Sequence, residues 1–264
     1  MFTLLKIEWL KLRRYKAFWI LLILSLGFSS GWNYFLANNI RENKLNAAAK
    51  NPVAQMLPNP YELPGTWQMV CYVNSFFLLT LGILMILLLT NEYNFRTSRQ
   101  NIIDGLSRIQ FAVSKLLLMF LLAIAATAVT FFTIIFVGKA VSNSSETLWQ
   151  NAHFIGYFFV QSIMYLLVAL LISMLVKRSG LAIGLYFFVM VADTILGGVL
   201  NKYVHPAGYF LPLDGTDYLI PGPARRFVPD PNRPGNKFIL AFSIGYILLF
   251  IYLFINYYRK ADLK

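Results

Sequence analysis

The sequence predicts an all-α integral membrane protein with six transmembrane helices. Of its 264 residues, 58% are hydrophobic and only 13% are charged, whereas soluble domains carry about 25% charged residues. Six apolar runs of 20–23 residues occur along the chain, the length that a helix needs to cross about 30 Å of hydrocarbon. Strands of a β-barrel would be about half as long and would alternate in polarity. We therefore expect residues 1–264 to form a single membrane domain.

The N-terminal segment, residues 1–16, is predicted to be an amphipathic helix lying in the membrane interface. Its apolar residues recur at spacings of three and four and so share one helix face, whereas basic residues form the other: Lys6, Lys11, Arg13, Arg14 and Lys16. Helices of this composition lie flat beside anionic headgroups. The alternative, a signal peptide, is disfavoured because the following run of 21 residues exceeds the 7–15 residues of a signal-peptide core.

The spans and their orientation follow from hydropathy and from the distribution of basic residues. With the N-terminus inside, 14 of the 23 Lys and Arg residues lie on the cytoplasmic side and nine lie outside, and the outside ones sit mostly in long loops, which weigh less in setting orientation. Both termini are therefore predicted to be cytoplasmic. The spans are expected at about 17–37, 69–90, 116–137, 154–176, 181–200 and 238–258, with outer loops at 38–68 and 201–237.

The polar loop 91–115, between spans two and three, is the most informative stretch. It holds four basic residues against two acidic ones, as is typical of cytoplasmic loops. Residues 99–106 have the length of a short helix that Asp104-Gly105 would end. One interpretation is a coupling helix that transmits a push from a soluble partner; the other is a basic loop that only fixes topology.

Most motifs for catalysis, and the phosphate-loop motif for nucleotide binding, are missing from the sequence. It has no G-x-x-x-x-G-K-[ST] phosphate loop and no H-E-x-x-H, and its two histidines, His153 and His205, are too few for an imidazole metal site. No basic block is interleaved with aromatic residues in a soluble segment, so nucleic acid is not an expected partner. The one cysteine, Cys71, lies in an apolar run and is expected to pack.

Two glycine pairs are predicted to form close-packing faces between helices. Gly27 and Gly31 flank Ser29 in a G-x-S-x-G match, and Gly180 and Gly184 have the same spacing. A nucleophile elbow needs a strand-to-helix turn, whereas this copy lies in a membrane helix, where glycines four apart favour helix contact. An intramembrane enzyme with Ser29 and His153 as a dyad is the minor alternative.

Asp193 is the ionisable residue that lies well inside a predicted span, which by default suggests function. We favour a structural role, in which this carboxylate reaches the interface or pairs with Lys139 or Lys202, because a proton relay would show several buried acids. The uncharged polar residues Asn74, Gln161 and Ser162 are expected to make hydrogen bonds between helices.

Residues 91–115 resemble the permease subunits of type-2 ATP-binding-cassette exporters in their six-span branch. In that family an acidic residue follows span two, and a Gly-Thr-like pair comes after it. A Ser-Arg pair and a Lys then precede span three. The corresponding residues here are Glu92, Arg96-Thr97, Ser107-Arg108 and Lys115. Lys6-x-Glu8-x-x-Lys11 resembles the interfacial elbow helix of that family. In two departures, Arg96 replaces the usual Gly, and Gly105-Leu106 stands where Leu-Pro is common.

The resemblance implies a half-transporter that exports, or extracts from the membrane, a hydrophobic or amphipathic substrate. Two such subunits, identical or related, would enclose a path above two separate ATPase subunits, and ATP and Mg would bind to those partners, leaving this chain without a cofactor. The expected setting is a bacterial inner membrane. Contacts with the ATPase are expected from the following residues: Glu92, Arg96, Thr97, Arg99, Asp104 and Arg108.

The main competing hypothesis is a structural or anchoring membrane subunit of a larger complex, in secretion, motility or respiration. Such a subunit would share the six spans but would not need the coupling pattern.

Overall fold

The computed structural model describes residues 2–50, 59–95, 97, 100, 103, 105–141, 149–222 and 230–260, without the side chains of 2–5, 7 and 47–50. Those residues form helices and no strands. A short N-terminal helix, α1 (Phe2–Arg13), precedes the first span, which comprises α2 (Lys16–Leu22), a π-helical turn (Ile23–Phe28) and α3 (Ser29–Lys50). The other spans are α4 (Gly65–Asn94), α5 (Arg108–Val141), α6 (His153–Val176), α7 (Ser179–Tyr203) and α9 (Asn236–Lys260), and a 3-10 turn (Ala207–Phe210) and α8 (Pro212–Leu219) lie before α9.

Six helices are long and apolar enough to cross a membrane, which confirms the predicted fold class. They extend beyond their apolar runs, because polar helix-forming residues continue them after hydropathy falls. The loop predicted at 91–115 is therefore shorter: α4 ends at Asn94 and α5 begins at Arg108. The predicted outer loop 38–68 likewise starts as helix, since α3 runs through the Arg-, Lys- and Ala-containing segment to Lys50.

Helix α6 lies at the centre of the bundle. In its most apolar stretch 72% of the residues are buried, against 11% in α7 and 22% in α9. It packs against α4, α5, α7, α8 and α9. The outward faces of α7 and α9 are therefore large apolar surfaces, and a hydrocarbon solvent or another subunit is what such faces require.

The first three spans are joined by buried amides and hydroxyls. Asn33 Nδ2 donates to Asn74 Oδ1 at 2.7 Å, and Asn74 Nδ2 donates to Thr130 Oγ1 at 2.9 Å. Tyr61 donates its hydroxyl to Asn33 Oδ1 at 3.2 Å. The interhelical hydrogen bond predicted for Asn74 is thus confirmed.

The π-helical turn in the first span is accompanied by serines that bond to their own helix. Ser25 donates to the carbonyl of Leu22, and Ser29 and Ser30 both donate to the carbonyl of Leu26, each at 3.0 Å. Hydroxyls that bond back three or four residues compete with the helical ladder. Here the serine hydroxyls donate to carbonyl groups near the π-helical turn, where the backbone hydrogen-bond pattern differs from that of an α-helix.

Candidate functional site

Four charged side chains meet where α1 packs against the ends of α4 and α5, a region called here the α1 end of the bundle. The ammonium of Lys115 lies 2.8 Å from each carboxylate oxygen of Glu8 and 2.6 Å from Glu92 Oε1. Lys11 lies 3.0 Å from Glu92 Oε1 and 3.7 Å from Glu8 Oε1. We call these four residues the charge cluster.

The charge cluster is electrically balanced and, apart from the partly exposed Lys11, buried. Lys115 is only 1% exposed, and two carboxylates face two ammonium groups. Removing ions from water costs several kcal/mol each, which their attraction offsets only with good geometry and additional hydrogen bonds. Ser114 supplies such a bond by donating to Glu8 Oε1 at 3.2 Å. Burial acts to raise the pKa of Glu8, but Lys115 and then Lys11 outweigh it, so this pKa is lowered.

The helix that enters beside the cluster, α5, begins with a reciprocal cap. The Gln110 backbone N–H donates to Ser107 Oγ at 3.2 Å, and the Ser107 N–H donates to Gln110 Oε1 at 2.9 Å. This S-x-x-Q capping box satisfies two backbone donors that a helix start leaves unpaired. It is readable in the sequence and would have placed the start of α5 at Arg108.

Aromatic side chains complete the α1 end. The Lys115 ammonium lies 5.1 Å from the centroid of the Phe111 ring, and this ring packs against Tyr258 of α9. Tyr258 shares a hydrogen bond with Tyr93 of α4, and Lys177, just beyond α6, lies over the Tyr93 ring at 5.5 Å. The ends of α4, α5, α6 and α9 are therefore linked around the charge cluster.

The predicted coupling segment is described in part. Thr97, Gln100 and Ile103 have helical backbone, and Gly105 ends the segment with φ +100°, a conformation that favours glycine. Thr97 and Arg108 are exposed, and so are the apolar side chains Phe95 and Ile103, at 74% and 77%. Three predicted contact residues, Arg96, Arg99 and Asp104, lie outside the described residues.

Glu92 does not lie on the exposed surface where a direct contact with a partner was expected. It is 8% exposed, and one of its oxygens, Oε1, accepts from both lysines of the charge cluster. The sequence pattern indicated an important acidic residue after span two, and the structure places it against Lys11 and Lys115, because α1 folds back over the end of α4. A contact between Glu92 and an ATPase stays a prediction.

At the opposite end of the bundle, Asp193 caps a helix, whereas the structural role predicted for it had the carboxylate reach the interface or pair with Lys139 or Lys202. Its Oδ2 accepts the backbone N–H groups of Leu213 and Asp214 at 3.1 and 2.7 Å. These are donors of the first turn of α8, whose own N-cap residue, Leu211, has no side-chain cap. Asp193 therefore supplies from α7 the cap that the α8 sequence lacks.

A half-open cavity of about 480 Å³ lies between α4, α6, α7 and α8. On its inner wall, Gln161 Nε2 and the Tyr165 hydroxyl both donate to Asp217 Oδ1 at 2.8 Å. Gln161 thus joins a span to α8, whereas Ser162 donates to Phe159 of its own helix and makes no interhelical bond within the described part of the chain. The rest of the cavity is largely apolar and includes Phe76, Leu79 and Met190.

The predicted glycine pairs do not pack against another helix of the described chain. Gly31, Gly180 and Gly184 have open space where a Cβ would lie, and Gly27 meets only Ile23, one turn earlier. Packing by these glycines against a second subunit stays a prediction. Close helix approach occurs instead at Gly82, where a Cβ would collide with the Tyr186 hydroxyl of α7.

The serine in the G-x-S-x-G match has a structural environment. Ser29 is buried and donates to Leu26 of its own helix, whereas His153 begins α6 at the far end of the bundle and packs on Phe154 and Tyr157. The described geometry therefore offers no support for a dyad between them.

The comparison with protein families finds a match over residues 4–193 to the ABC-2 family transporter protein model. The matched region begins in α1, contains all four members of the charge cluster and ends at Asp193 in α7. No curated protein matches the chain. Because the match covers well over half of a chain that has six apolar helices, the protein belongs to the ABC-2 family of membrane transporter proteins.

Proposed function

We propose that the chain is the permease subunit of an ATP-driven exporter that moves, or extracts from the membrane, a hydrophobic or amphipathic substrate. ATP and Mg bind to two copies of a separate ATPase subunit, in keeping with the missing phosphate loop. The α1 end is cytoplasmic, as the distribution of basic residues favours. A second permease, identical or related, covers the apolar outer faces of α7 and α9.

The observation that carries this proposal is the position of the charge cluster. Glu8, Glu92 and Lys115 come from α1, α4 and α5, and the last two of these helices flank the coupling segment. Separating a buried ion pair leaves an uncompensated charge, at a cost of about 3–5 kcal/mol. A displacement of the segment is therefore passed to α1, α4 and α5 together and is not absorbed by a flexible joint.

The surface that meets the ATPase combines exposed apolar and polar side chains. Phe95 and Ile103 are exposed apolar side chains, and exposure of such surface to water is unfavourable. They therefore supply apolar contact area for the ATPase. Thr97 and Arg108 supply polar contacts, as do Arg96, Arg99 and Asp104 in the sequence-based prediction. Glu92 has a different part: it holds the base of the segment to α1 through Lys11.

The half-open cavity between α4 and α7 supplies a section of the substrate path. Its walls are mostly apolar, with Gln161, Tyr165 and Asp217 as a polar strip on one side. Pockets of this kind bind molecules with an apolar body and few polar groups.

The test is affinity purification of the tagged chain in mild detergent, with identification of the proteins that co-purify. A stoichiometric ATPase supports the proposal, and its loss with Arg99→Glu plus Arg108→Glu assigns the contact to the coupling segment. The matched control is Lys139→Glu plus Lys202→Glu, which makes the same charge change at the opposite end of the bundle. Recovery of a large assembly without an ATPase overturns the proposal in favour of a structural subunit.

A further inference from the structure

A second, smaller cavity, of about 200 Å³, lies between α1 and the end of α4. Its walls include Lys11, Tyr15, Asn91 and Glu92, with Leu12 and Leu88 among the apolar residues. The volume exceeds the roughly 30 Å³ that one water occupies in the liquid. Phe95 and Thr97, which belong to the surface proposed above to meet the ATPase, also line it, but that proposal assigns no ligand to the cavity itself.

Glu92, which lines this cavity, has an unsatisfied acceptor. Its Oε1 accepts from both lysines of the charge cluster, but no group in the described part of the chain donates to its buried Oε2. Buried carboxylate oxygens are costly to leave unpaired. A ligand in the cavity should therefore present a hydrogen-bond donor.

Tyr15, in contrast, requires a hydrogen-bond acceptor from a ligand in the cavity. Its hydroxyl accepts a hydrogen bond from Asn91 Nδ2 at 2.8 Å, which leaves the hydroxyl proton for a ligand acceptor. Lys11 lies on the same wall with 30% of its side chain exposed, so that its ammonium is within reach of an incoming anion. The ligand should thus carry an acceptor or an anionic group beside its donor.

The balance of charge selects a zwitterion. Two carboxylates and two ammonium groups already neutralise each other in the charge cluster. A ligand with net charge would add an uncompensated charge to a partly buried site, which is unfavourable. A ligand that carries one positive and one negative group adds none.

The position of the cavity indicates where that zwitterion comes from. Trp9 and Trp19 are exposed and pack edge to face, with ring centroids 6.1 Å apart, beside the break between α1 and α2. Exposed tryptophans are enriched at the level of lipid headgroups. The cavity is next to this level, and Leu12 and Leu88 extend its wall towards the apolar part of the bundle.

We propose that this cavity binds the headgroup of an amine-bearing zwitterionic phospholipid, of the phosphatidylethanolamine class. The ammonium donates to Glu92 Oε2, and the phosphate accepts from Tyr15 and Lys11. Phosphatidylcholine has the same charges, but its quaternary nitrogen has no N–H to donate. The site therefore distinguishes two lipids that differ only in this donor.

The experiment is native mass spectrometry of the full chain after release from mixed vesicles that contain equal amounts of phosphatidylethanolamine and phosphatidylcholine. We expect retention of phosphatidylethanolamine at about tenfold over phosphatidylcholine, the ratio that one charge-assisted hydrogen bond gives. Glu92→Gln should reduce this ratio several-fold. Tyr15→Phe removes a donor to the phosphate that both lipids share, so it should reduce the retained amount of both lipids and leave the ratio unchanged. Tyr34→Phe, the same substitution on the exposed face of α3, should change neither the ratio nor the amounts.

Three results would overturn the lipid site. Equal retention of both lipids by the unaltered chain would leave water as the partner of Glu92. Equal stabilisation of delipidated protein by free phosphoethanolamine and by the lipid would make a soluble metabolite the ligand. Displacement of the lipid by a co-expressed ATPase whose lysine cross-links to Glu92 would assign the cavity to that protein. Loss of ATPase association alone would contradict the permease proposal but not this one.

Discussion

Lys115 lies 2.8 Å from both carboxylate oxygens of Glu8, a residue 107 positions earlier in the chain. This contact fixes the N-terminal helix to the start of α5. Glu92 joins the same ammonium from the end of α4, so the three helices meet at one buried lysine.

Replacing Lys115 by Met should destabilise the protein by about 3–5 kcal/mol, because Glu8 and Glu92 would stay buried without their shared cation. Unfolding by dodecyl sulfate in mixed micelles measures this change. Lys139→Met removes an exposed lysine from the other end of α5 and should cost less than about 1 kcal/mol. Equal effects of the two substitutions would contradict a buried, charge-balanced cluster.

The lowered pKa of Glu8 predicts a loss of stability in acid. A carboxyl group with a lowered pKa in the folded state stabilises that state at pH values above its ordinary pKa of 4.5. The stabilisation is lost as the pH falls from 4.5 through the lowered value. We expect the thermal midpoint to hold from neutral pH to about 4.5 and then to fall.

Glu8→Gln should flatten that acid-side decline, because residue 8 no longer titrates. Glu62→Gln is the control, since Glu62 is half exposed and its pair with Lys44 is 3.6 Å long. The same pH profile in Glu8→Gln and in the unaltered chain would show that other carboxyl groups govern acid unfolding.

Gly82→Ala should destabilise the bundle by about 1–3 kcal/mol, because the added methyl group collides with the ring and hydroxyl of Tyr186. Gly31→Ala places the same methyl group in open space and should be neutral or stabilising by up to about 1 kcal/mol in the isolated chain. The comparison uses thermal unfolding in detergent. A larger loss for Gly31→Ala would mean that this face is packed in the assembled protein.

Asp193→Ala should loosen α8, because the backbone N–H groups of Leu213 and Asp214 lose their shared acceptor. A lost cap costs about 1 kcal/mol, which corresponds to roughly fivefold faster hydrogen exchange at these two amides. Asp193→Asn keeps an acceptor oxygen and should have a smaller effect. If Asn and Ala gave the same acceleration, the negative charge of Asp193 would matter more than its cap.

Much of the fold is readable from single stretches of the sequence. The six apolar runs have the length needed to cross a membrane, and six long apolar helices were confirmed. In lipid the backbone must satisfy its own hydrogen bonds, which leaves few alternatives to a helix. Helix ends were less accurate, since α3, α4 and α5 continue through polar residues after the apolar run stops. The Ser107–Gln110 capping box is a local signal that would have corrected one of these boundaries.

The partners of the charged residues were not readable in the same way. Asp193 was expected to reach the interface or to pair with a lysine, and the structure shows that it caps α8; Glu92 was expected to contact a partner, and the structure shows that it accepts from Lys11 and Lys115. In both cases the neighbours observed are residues distant in sequence. A carboxylate accepts equally well from an ammonium group or a backbone N–H, so its residue type does not identify its neighbour.

The sequence by itself thus determined the membrane class, the number of spans, the basic loop between spans two and three and the absence of a phosphate loop. These depend on composition and on local spacing, which are properties of short segments. Only the tertiary structure decided that Glu8, Glu92 and Lys115 form one buried cluster, that Gly82 lies in close contact with Tyr186, and that Glu92 lines a cavity with one oxygen unpaired. These depend on how helices pack, and packing is set by shape and burial across the whole chain.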